Sequence, residues 1–141
     1  MAAGLFLLCL SSRKNRRAVK MAKILIIEDE PEQIKLITMR LEANGFNVVS
    51  ASTAREGLQT VSQERPDLIL LDILLPDING LEVAETLKID AATQSIPIIA
   101  ITAVGTPDIE QKCRDVGISD FLRKPYESSD LITKIKVQLE R

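Results

Sequence analysis

One acidic residue interrupts a long apolar stretch in the middle of the chain. Asp72 lies between Leu68-Ile69-Leu70-Leu71 and Ile73-Leu74-Leu75, at a position where an aliphatic side chain is the usual choice. An ionised carboxylate buried without partners costs several kcal/mol, which is a large share of the free energy of unfolding of a small domain. Asp72 is therefore expected either at a strand end that opens to water or beside groups that compensate its charge.

Other apolar runs in the chain are also followed by polar residues whose side chains can take part in catalysis or binding. Glu28 and Asp29 follow one such run, Thr102 follows another, and Lys124 follows a shorter one. Histidine is absent from the chain, which excludes Ser-His-Asp and Cys-His nucleophiles, histidine-ligated zinc and a phosphohistidine of its own. Any chemistry must therefore use carboxylates, hydroxyls and lysine.

The apolar runs predict the strands of a parallel sheet. Runs that are apolar at every position suit strands covered on both faces, because a strand with one wet face alternates apolar and polar residues. Three runs are strong and two are weaker, and the predicted strands cover residues 23–27, 46–51, 68–71, 98–101 and 121–122.

Helical patterns with recognisable ends separate these strands. The stretch Thr53 to Glu56 has capping-box spacing, and Thr106-Pro107 places proline at the first position of a helix that Gly117 ends. Ser129-Asp130 predicts the start of the last helix. The five βα units predict one doubly wound α/β sandwich over residues 22–141, since right-handed crossovers place helices on both faces of the sheet.

The functional crevice of such a fold lies outside the C-terminal ends of its strands, where Glu28, Asp29, Asp72, Thr102 and Lys124 are predicted to meet. Three carboxylates this close repel one another and stay ionised together only if a cation joins them. Oxygen ligands with open positions suit Mg²⁺, for which Mn²⁺ can substitute. Beside a cation, the Lys124 ammonium and the Thr102 hydroxyl, the Asp72 carboxylate is arranged to accept a phosphoryl group as an aspartyl phosphate.

Composition limits the other classes of function. A chain of 141 residues, 45% apolar and 27% charged, fits a single soluble globular domain. A net charge of -2, no Trp and one Tyr argue against a nucleic-acid ligand. Cys9 and Cys113 do not make a disulfide framework, so a reducing compartment, the cytoplasm, is expected. Cys113 lies on an apolar helical stripe and is interpreted as a buried hydrophobe.

The first 21 residues differ in character from the rest. Ala2 to Leu10 is apolar but too short to cross a bilayer. A secretory signal places its basic residues before the apolar run, whereas here they follow it, as Arg13, Lys14, Arg16 and Arg17. We interpret residues 1–21 as an extension outside the fold, disordered or added by an over-called start, with Met21 as the alternative start. The other interpretation is a membrane-surface anchor made of one apolar and one polybasic patch. No membrane span is expected.

The ordered set of motifs resembles the receiver domain of two-component response regulators. The resemblance covers Lys23 to Arg141 and is carried by ILIIEDE from Ile24, DLILLDILLPDING from Asp67, IIAITA from Ile98 and FLRKPY from Phe121. It implies a flavodoxin-like (βα)5 fold with a five-stranded parallel sheet in the order 2-1-3-4-5.

The resemblance also implies the residues of the metal side of the site. Asp72 would be the phosphoacceptor, and Glu28 and Asp29 would be the acidic-pocket ligands of Mg²⁺. The main-chain carbonyl of Leu74 would be a further ligand, since the family uses the residue two positions after the acceptor. Asp77 follows in the same loop and is interpreted as loop or helix-cap chemistry rather than as part of the site.

The phosphoryl side of the site is implied in the same way. Thr102 would be the hydroxyl that holds the phosphoryl group, and Phe121 would be the aromatic side chain that changes rotamer with it. Lys124 would contact the phosphoryl group, on a Lys124-Pro125 bond that the family holds in cis. These residues would bias a surface made of the fourth helix, fifth strand and fifth helix.

The resemblance implies a signalling switch rather than an enzyme acting on other substrates. We expect a single-domain response regulator, because the sequence ends at Arg141, directly after the last predicted helix. Its phosphoryl donor would be a sensor histidine kinase or a histidine phosphotransfer protein, and its output would be binding to another protein. A monomer or weak dimer is expected.

Two other functions remain open. A phosphorylation-independent interaction module would keep the fold and lose the chemistry. A flavodoxin-type electron carrier would share the architecture, but its phosphate cradle would have to replace Glu28-Asp29-Glu30, which repels phosphate in the absence of a metal.

The residues two positions after Asp72 and Thr102 are both aliphatic. Leu74 and Val104 offer no polar group that could position an attacking water. We therefore predict slow loss of the phosphoryl group by self-catalysed hydrolysis, with a lifetime well beyond seconds.

Overall fold

The computed structural model describes residues 22–140. The strands are β1 (Lys23–Ile27), β2 (Asn47–Ala51), β3 (Leu68–Asp72), β4 (Ile98–Thr102) and β5 (Asp120–Arg123). The helices are α1 (Pro31–Ala43), α2 (Ala54–Glu64), α3 (Gly80–Ile89), α4 (Pro107–Asp115) and α5 (Ser128–Glu140). Strands and helices alternate strictly along this part of the chain.

All five strands are parallel, and their spatial order is β2-β1-β3-β4-β5. This order confirms the predicted doubly wound sandwich. The central strands β3 and β4 are buried at every residue, as expected for runs that are apolar at every position.

Helices cover both faces of the sheet and make two separate cores. Alternate strand residues such as Leu25 and Ile27 pack against α2, α3 and α4, whereas Ile24 and Ile26 pack against α1 and α5. Cys113 is buried in the first core, as predicted. The sheet is thereby held rigidly between two layers, and the ends of its strands form a fixed edge.

The predicted helix starts follow local capping rules. Thr53 caps α2 by accepting from the Glu56 N–H at 3.1 Å, and Thr106 caps α4 by accepting from the Ile109 N–H at 3.2 Å. The last helix begins at Ser128, one residue earlier than predicted. Asn79 caps α3 through the Leu81 N–H at 2.8 Å.

The predicted extension, residues 1–21, lies outside the described residues. Within residues 22–140, no helix has both the length and the hydrophobicity needed to cross a bilayer.

Candidate functional site

The strand ends bring the polar residues to one edge of the sheet. Asp72 and Thr102 are the last residues of the adjacent strands β3 and β4, and Glu28 and Lys124 directly follow β1 and β5. The sequence placed Asp72 and Thr102 just after their strands, whereas both complete the ladder of hydrogen-bonded strands. Among residues 22–140, the buried polar or charged side chains are Glu28, Asp72 and Thr102, and all three lie at this edge.

Lys124 joins two of the acidic side chains. Its Nζ lies 2.8 Å from Glu28 Oε1 and 3.4 Å from Asp72 Oδ2. The sequence predicted Lys124 as a free donor beside Asp72, but its shorter contact is with Glu28. Glu28 is the more buried of the two carboxylates, so its ionised form depends more on a counter-charge than that of Asp72 does.

The acidic side chains lie close enough together to bind one metal ion. One carboxylate oxygen each of Glu28, Asp29 and Asp72 lies within 4.8 Å of the other two. Three carboxylates against the one ammonium of Lys124 leave an excess of negative charge. This donor set fits a hard divalent cation, which prefers oxygen ligands.

The pKa of Glu28 is raised mainly by burial, and the nearby negative charge adds to this effect. Burial and the neighbouring Asp72 carboxylate raise the pKa of Glu28 from 4.5 to about 8, against the opposing effect of Lys124. In the absence of a metal, Glu28 therefore binds a proton that a cation would displace. For Lys124, burial alone would lower the pKa, but its contacts with Glu28 and Asp72 outweigh burial and raise it.

The backbone of the β3–α3 connection orients the Asp72 carboxylate. Asp72 Oδ1 accepts from the Leu74 N–H at 2.9 Å, which leaves Oδ2 facing Lys124. Gly80 packs directly beneath this turn, because a Cβ at Gly80 would lie 2.7 Å from the Asp72 carbonyl oxygen and from Ile73 Cα. The Gly80 N–H also donates to the Ile73 carbonyl at 2.9 Å. The position thus requires glycine for close backbone approach.

Thr102 and Phe121 occupy the other side of the site. Thr102 Oγ1 accepts from the Val104 N–H at 3.1 Å, and its hydroxyl hydrogen is left to donate. Phe121 is half-buried against the core that α2, α3 and α4 cover, and it lies in register with Ala100 of β4. The Lys124–Pro125 peptide bond is cis, as the resemblance implies.

Aliphatic side chains flank the site. Leu74 is 56% exposed and Val104 is 43% exposed, beyond the ends of β3 and β4. Both side chains therefore face solvent around the acidic cluster and offer no hydrogen-bonding group to a water there.

Asp77 has a role that the sequence did not locate. Its Oδ1 accepts from the Ala54 N–H at 2.9 Å and its Oδ2 from the Arg55 N–H at 3.1 Å, so it caps the N-terminus of α2 rather than that of α3. These bonds lower the pKa of Asp77, the bond from Ala54 contributing most. The two donors lie more than 20 residues away in sequence, and no local pattern signals this contact.

Several known proteins are similar to this chain. The family model described as "Response regulator receiver domain" matches residues 24–136. The chain is 34% identical over 119 residues to Protein PilH of Pseudomonas aeruginosa, covering 84% of this chain and 98% of PilH. It is 36% identical over 118 residues to the phosphate regulon transcriptional regulatory protein PhoB of the same species.

The match to PhoB covers 84% of this chain but 52% of PhoB, so the chain spans about half the length of that curated relative. Among solved structures, a response regulator receiver domain protein (CheY-like) from Methanospirillum hungatei superimposes with a TM-score of 0.80 at 30% identity. That superposition covers 85% of this chain and 94% of the other.

Proposed function

This chain belongs to the response regulator receiver domain family, and from that membership we propose that it accepts a phosphoryl group on Asp72 and changes its affinity for a protein partner in response. Receiver domains are signalling modules rather than classical enzymes. The observation that carries the proposal is the buried Asp72 carboxylate, with Lys124 Nζ 3.4 Å away and two further carboxylates within 4.8 Å.

Asp72 acts as the nucleophile in this proposal. One carboxylate oxygen attacks the phosphorus of a phosphohistidine, an O–P bond forms as the P–N bond breaks, and the leaving imidazole nitrogen keeps the electron pair. The donor is a sensor histidine kinase or a histidine phosphotransfer protein in the cytoplasm, and a small acyl phosphate can replace it.

Glu28, Asp29, Asp72 and the Leu74 main-chain carbonyl would hold Mg²⁺. When bound, the cation neutralises charge on the carboxylates and on the transferring phosphoryl oxygens. Lys124 supplies the second positive charge, since its ammonium already lies between Glu28 and Asp72. Thr102 supplies a hydroxyl donor at the end of the adjacent strand.

The phosphoryl group then changes the arrangement of Thr102 and Phe121. A hydroxyl drawn towards the new dianion leaves space beside β4 into which the half-buried Phe121 ring can turn, which alters the surface of α4, β5 and α5. A nearly complete shift between two states needs about 5.5 kcal/mol. Charge-assisted hydrogen bonds from Thr102 and Lys124 contribute about 1.5–3 kcal/mol each.

Intact-mass measurement tests this function. The full chain, incubated with acetyl phosphate and Mg²⁺, is expected to gain the mass of one phosphoryl group. The gain should disappear in Asp72→Ala and when a chelator removes Mg²⁺. If the wild-type mass stays unchanged under conditions that phosphorylate another receiver, the chain is a phosphorylation-independent interaction module instead.

A further inference from the structure

Arg123, the last residue of β5, lies against the β4–α4 loop, which comprises residues 103–106. A Cβ built on Gly105 of this loop would lie 2.6 Å from Arg123 Cδ and 2.8 Å from Arg123 Cγ. The Arg123 methylene groups therefore occupy the space that a side chain at position 105 would fill, in direct contact with the Gly105 backbone. Gly105 does not have a positive φ, so this position requires glycine for the close approach and not for an unusual backbone conformation.

Packing rather than an ion pair holds Arg123 in this position. Among residues 22–140, Lys112, Arg114 and Lys134 around α4 and α5 each pair with an acidic side chain, whereas Arg123 has no acidic partner. The stem of an arginine can cover backbone or apolar surface while its charged end stays in water. The contact with Gly105 therefore depends on the Arg123 stem and not on its charge.

Arg123 also adjoins the residues of the proposed switch. It lies in register with Thr102 of β4, and the Lys124 N–H donates to the Thr102 carbonyl at 2.9 Å. Phe121 lies two residues earlier on β5, so its side chain and that of Arg123 leave the same face of the sheet. Arg123 is thus beside Thr102 across the two strands and beside Phe121 along its own strand.

The loop that Arg123 contacts is connected to the Thr102 hydroxyl. Thr102 Oγ1 accepts from the Val104 N–H at 3.1 Å, and Val104 directly precedes Gly105. A Thr102 hydroxyl drawn towards a phosphoryl group on Asp72 keeps this bond only if the loop follows it. Because β4 lies between β3, which carries Asp72, and β5, which carries Arg123, this movement takes the loop away from Arg123.

We propose that Arg123 is a positioning residue of the switch, whose stem holds the β4–α4 loop, and through it Thr102, in the arrangement without a phosphoryl group. This inference rests on the proposed function, because it concerns the response of Thr102 to phosphorylation. The phosphoryl group and the Arg123 stem favour different positions of the same loop. Removing the stem should therefore strengthen binding of a phosphoryl group at Asp72.

Amide exchange of Val104 in the full chain, measured by NMR without ligand, tests the positioning. Arg123→Ala is expected to raise the exchange rate about fivefold, because a loop that has lost a packing contact opens more often. Arg123→Lys keeps the methylene groups at Cγ and Cδ and should stay within about twofold of the wild type. Lys136→Ala, which removes the same charge from an exposed position on α5, is the control. Unchanged exchange in Arg123→Ala, or equally fast exchange in Arg123→Lys, would overturn the proposal.

A double-mutant cycle tests whether Gly105 is the partner of the Arg123 stem. Gly105→Ala should displace the stem and speed the exchange of Val104 as Arg123→Ala does. Added to Arg123→Ala, it should have little further effect, because the three atoms nearest to the built Cβ all belong to Arg123. Effects that simply add in the double variant would show that the two residues act independently, against the proposal.

Binding of BeF₃⁻, a non-covalent mimic of the phosphoryl group, tests the coupling to the switch. In the presence of Mg²⁺, Arg123→Ala is expected to bind BeF₃⁻ about fivefold more tightly than the wild type by calorimetry, at the low end of ordinary couplings between sites. Arg123→Lys and Lys136→Ala should bind like the wild type. Faster exchange of Val104 with unchanged BeF₃⁻ affinity would refute the coupling. If the wild type does not bind BeF₃⁻, the proposed function is wrong, whereas the exchange of Val104 still decides whether Arg123 positions the loop.

Discussion

Asp72 ends β3 and Asp77 lies five residues later in the connection to α3, yet the two carboxylates have opposite electrostatic environments. Asp72 is buried with Glu28 and Asp29 within 4.8 Å, so its neighbours are mostly of like charge. Asp77 accepts two backbone N–H groups from the start of α2, and its neighbours favour the ionised form.

The difference separates a carboxylate that stabilises the fold from one that is available for chemistry. A capping carboxylate stabilises the folded protein even when no ligand is bound, because the unpaired N–H donors at a helix start need acceptors. A carboxylate in an acidic cluster is stabilised most when a cation or another positive group binds beside it. The two residues should therefore respond oppositely to the same substitutions.

The largest expected contrast is in phosphorylation. Asp72→Ala should abolish the gain of a phosphoryl group from acetyl phosphate, because it removes the proposed nucleophile. Asp77→Ala should retain a gain close to that of the wild type, because Asp77 contacts α2 and not the acidic cluster. Intact mass after identical incubations measures both variants. A phosphorylated Asp72→Ala chain, or an inert Asp77→Ala chain that is still folded, would contradict the division of roles.

A second contrast concerns the metal. Glu28→Gln removes a carboxylate that would be ionised only when the cation is bound, and we expect Mg²⁺ binding, measured by calorimetry, to weaken at least tenfold. The melting temperature in chelator at pH 7 should stay close to that of the wild type, since the raised pKa of Glu28 leaves it largely protonated there. Glu85→Gln, on the exposed surface of α3, is the control. Unchanged Mg²⁺ affinity in Glu28→Gln would place the cation elsewhere.

The order of the strands followed from the resemblance to receiver domains, whereas the convergence of Glu28, Asp72, Thr102 and Lys124 was predictable from the sequence pattern itself. Apolar runs define parallel strands, and the ends of parallel strands share one edge regardless of how far apart they lie in the chain. That rule depends only on strand identity, so it does not require knowledge of individual side-chain contacts.

The contacts that hold these residues in place were not predictable in the same way. Asp77 reaches α2 across more than 20 residues, and Gly80 lies against the backbone of Asp72. Both depend on how two loops pack in three dimensions, and neither changes the hydrophobic pattern. The closer pairing of Lys124 with Glu28 depends likewise on relative burial, which the sequence does not give.

Leu74 lies between the two aspartates in sequence and is expected to affect the lifetime of a phosphoryl group on Asp72. We expect the wild type to lose its phosphoryl group slowly, over well more than seconds, and Leu74→Asn to lose it severalfold faster, because an amide at this exposed position can hold an attacking water. The Leu74 N–H bond to Asp72 is retained, since it comes from the backbone.

Decay of the intact phosphorylated mass after removal of donor measures the lifetime in both proteins. Leu36→Asn on α1, another exposed leucine, is the control and should decay like the wild type. Wild-type decay within seconds, or equal rates in wild type and Leu74→Asn, would contradict the prediction.

The substitution of Asp77 that should leave phosphorylation nearly unchanged should lower the stability of the fold. Asp77→Ala is expected to lower the melting temperature by a few degrees, because it leaves the N–H groups of Ala54 and Arg55 without their acceptor. Glu85→Ala removes the same charge from an exposed position on α3 and should change the melting temperature little. A loss no greater in Asp77→Ala than in Glu85→Ala would mean that the cap does not stabilise α2.

The smallest effect is in the pH dependence of that stability difference. The hydrogen bonds lower the pKa of Asp77 below its ordinary value of 3.8, so the folded state favours the ionised carboxylate. Its stabilising effect is complete above pH 3.8 and is lost as the pH falls through the lowered value. The melting temperatures of wild type and Asp77→Ala should therefore differ most at neutral pH and converge in acid. A constant difference down to pH values below that lowered pKa would show that the cap works through its geometry alone and not through its charge.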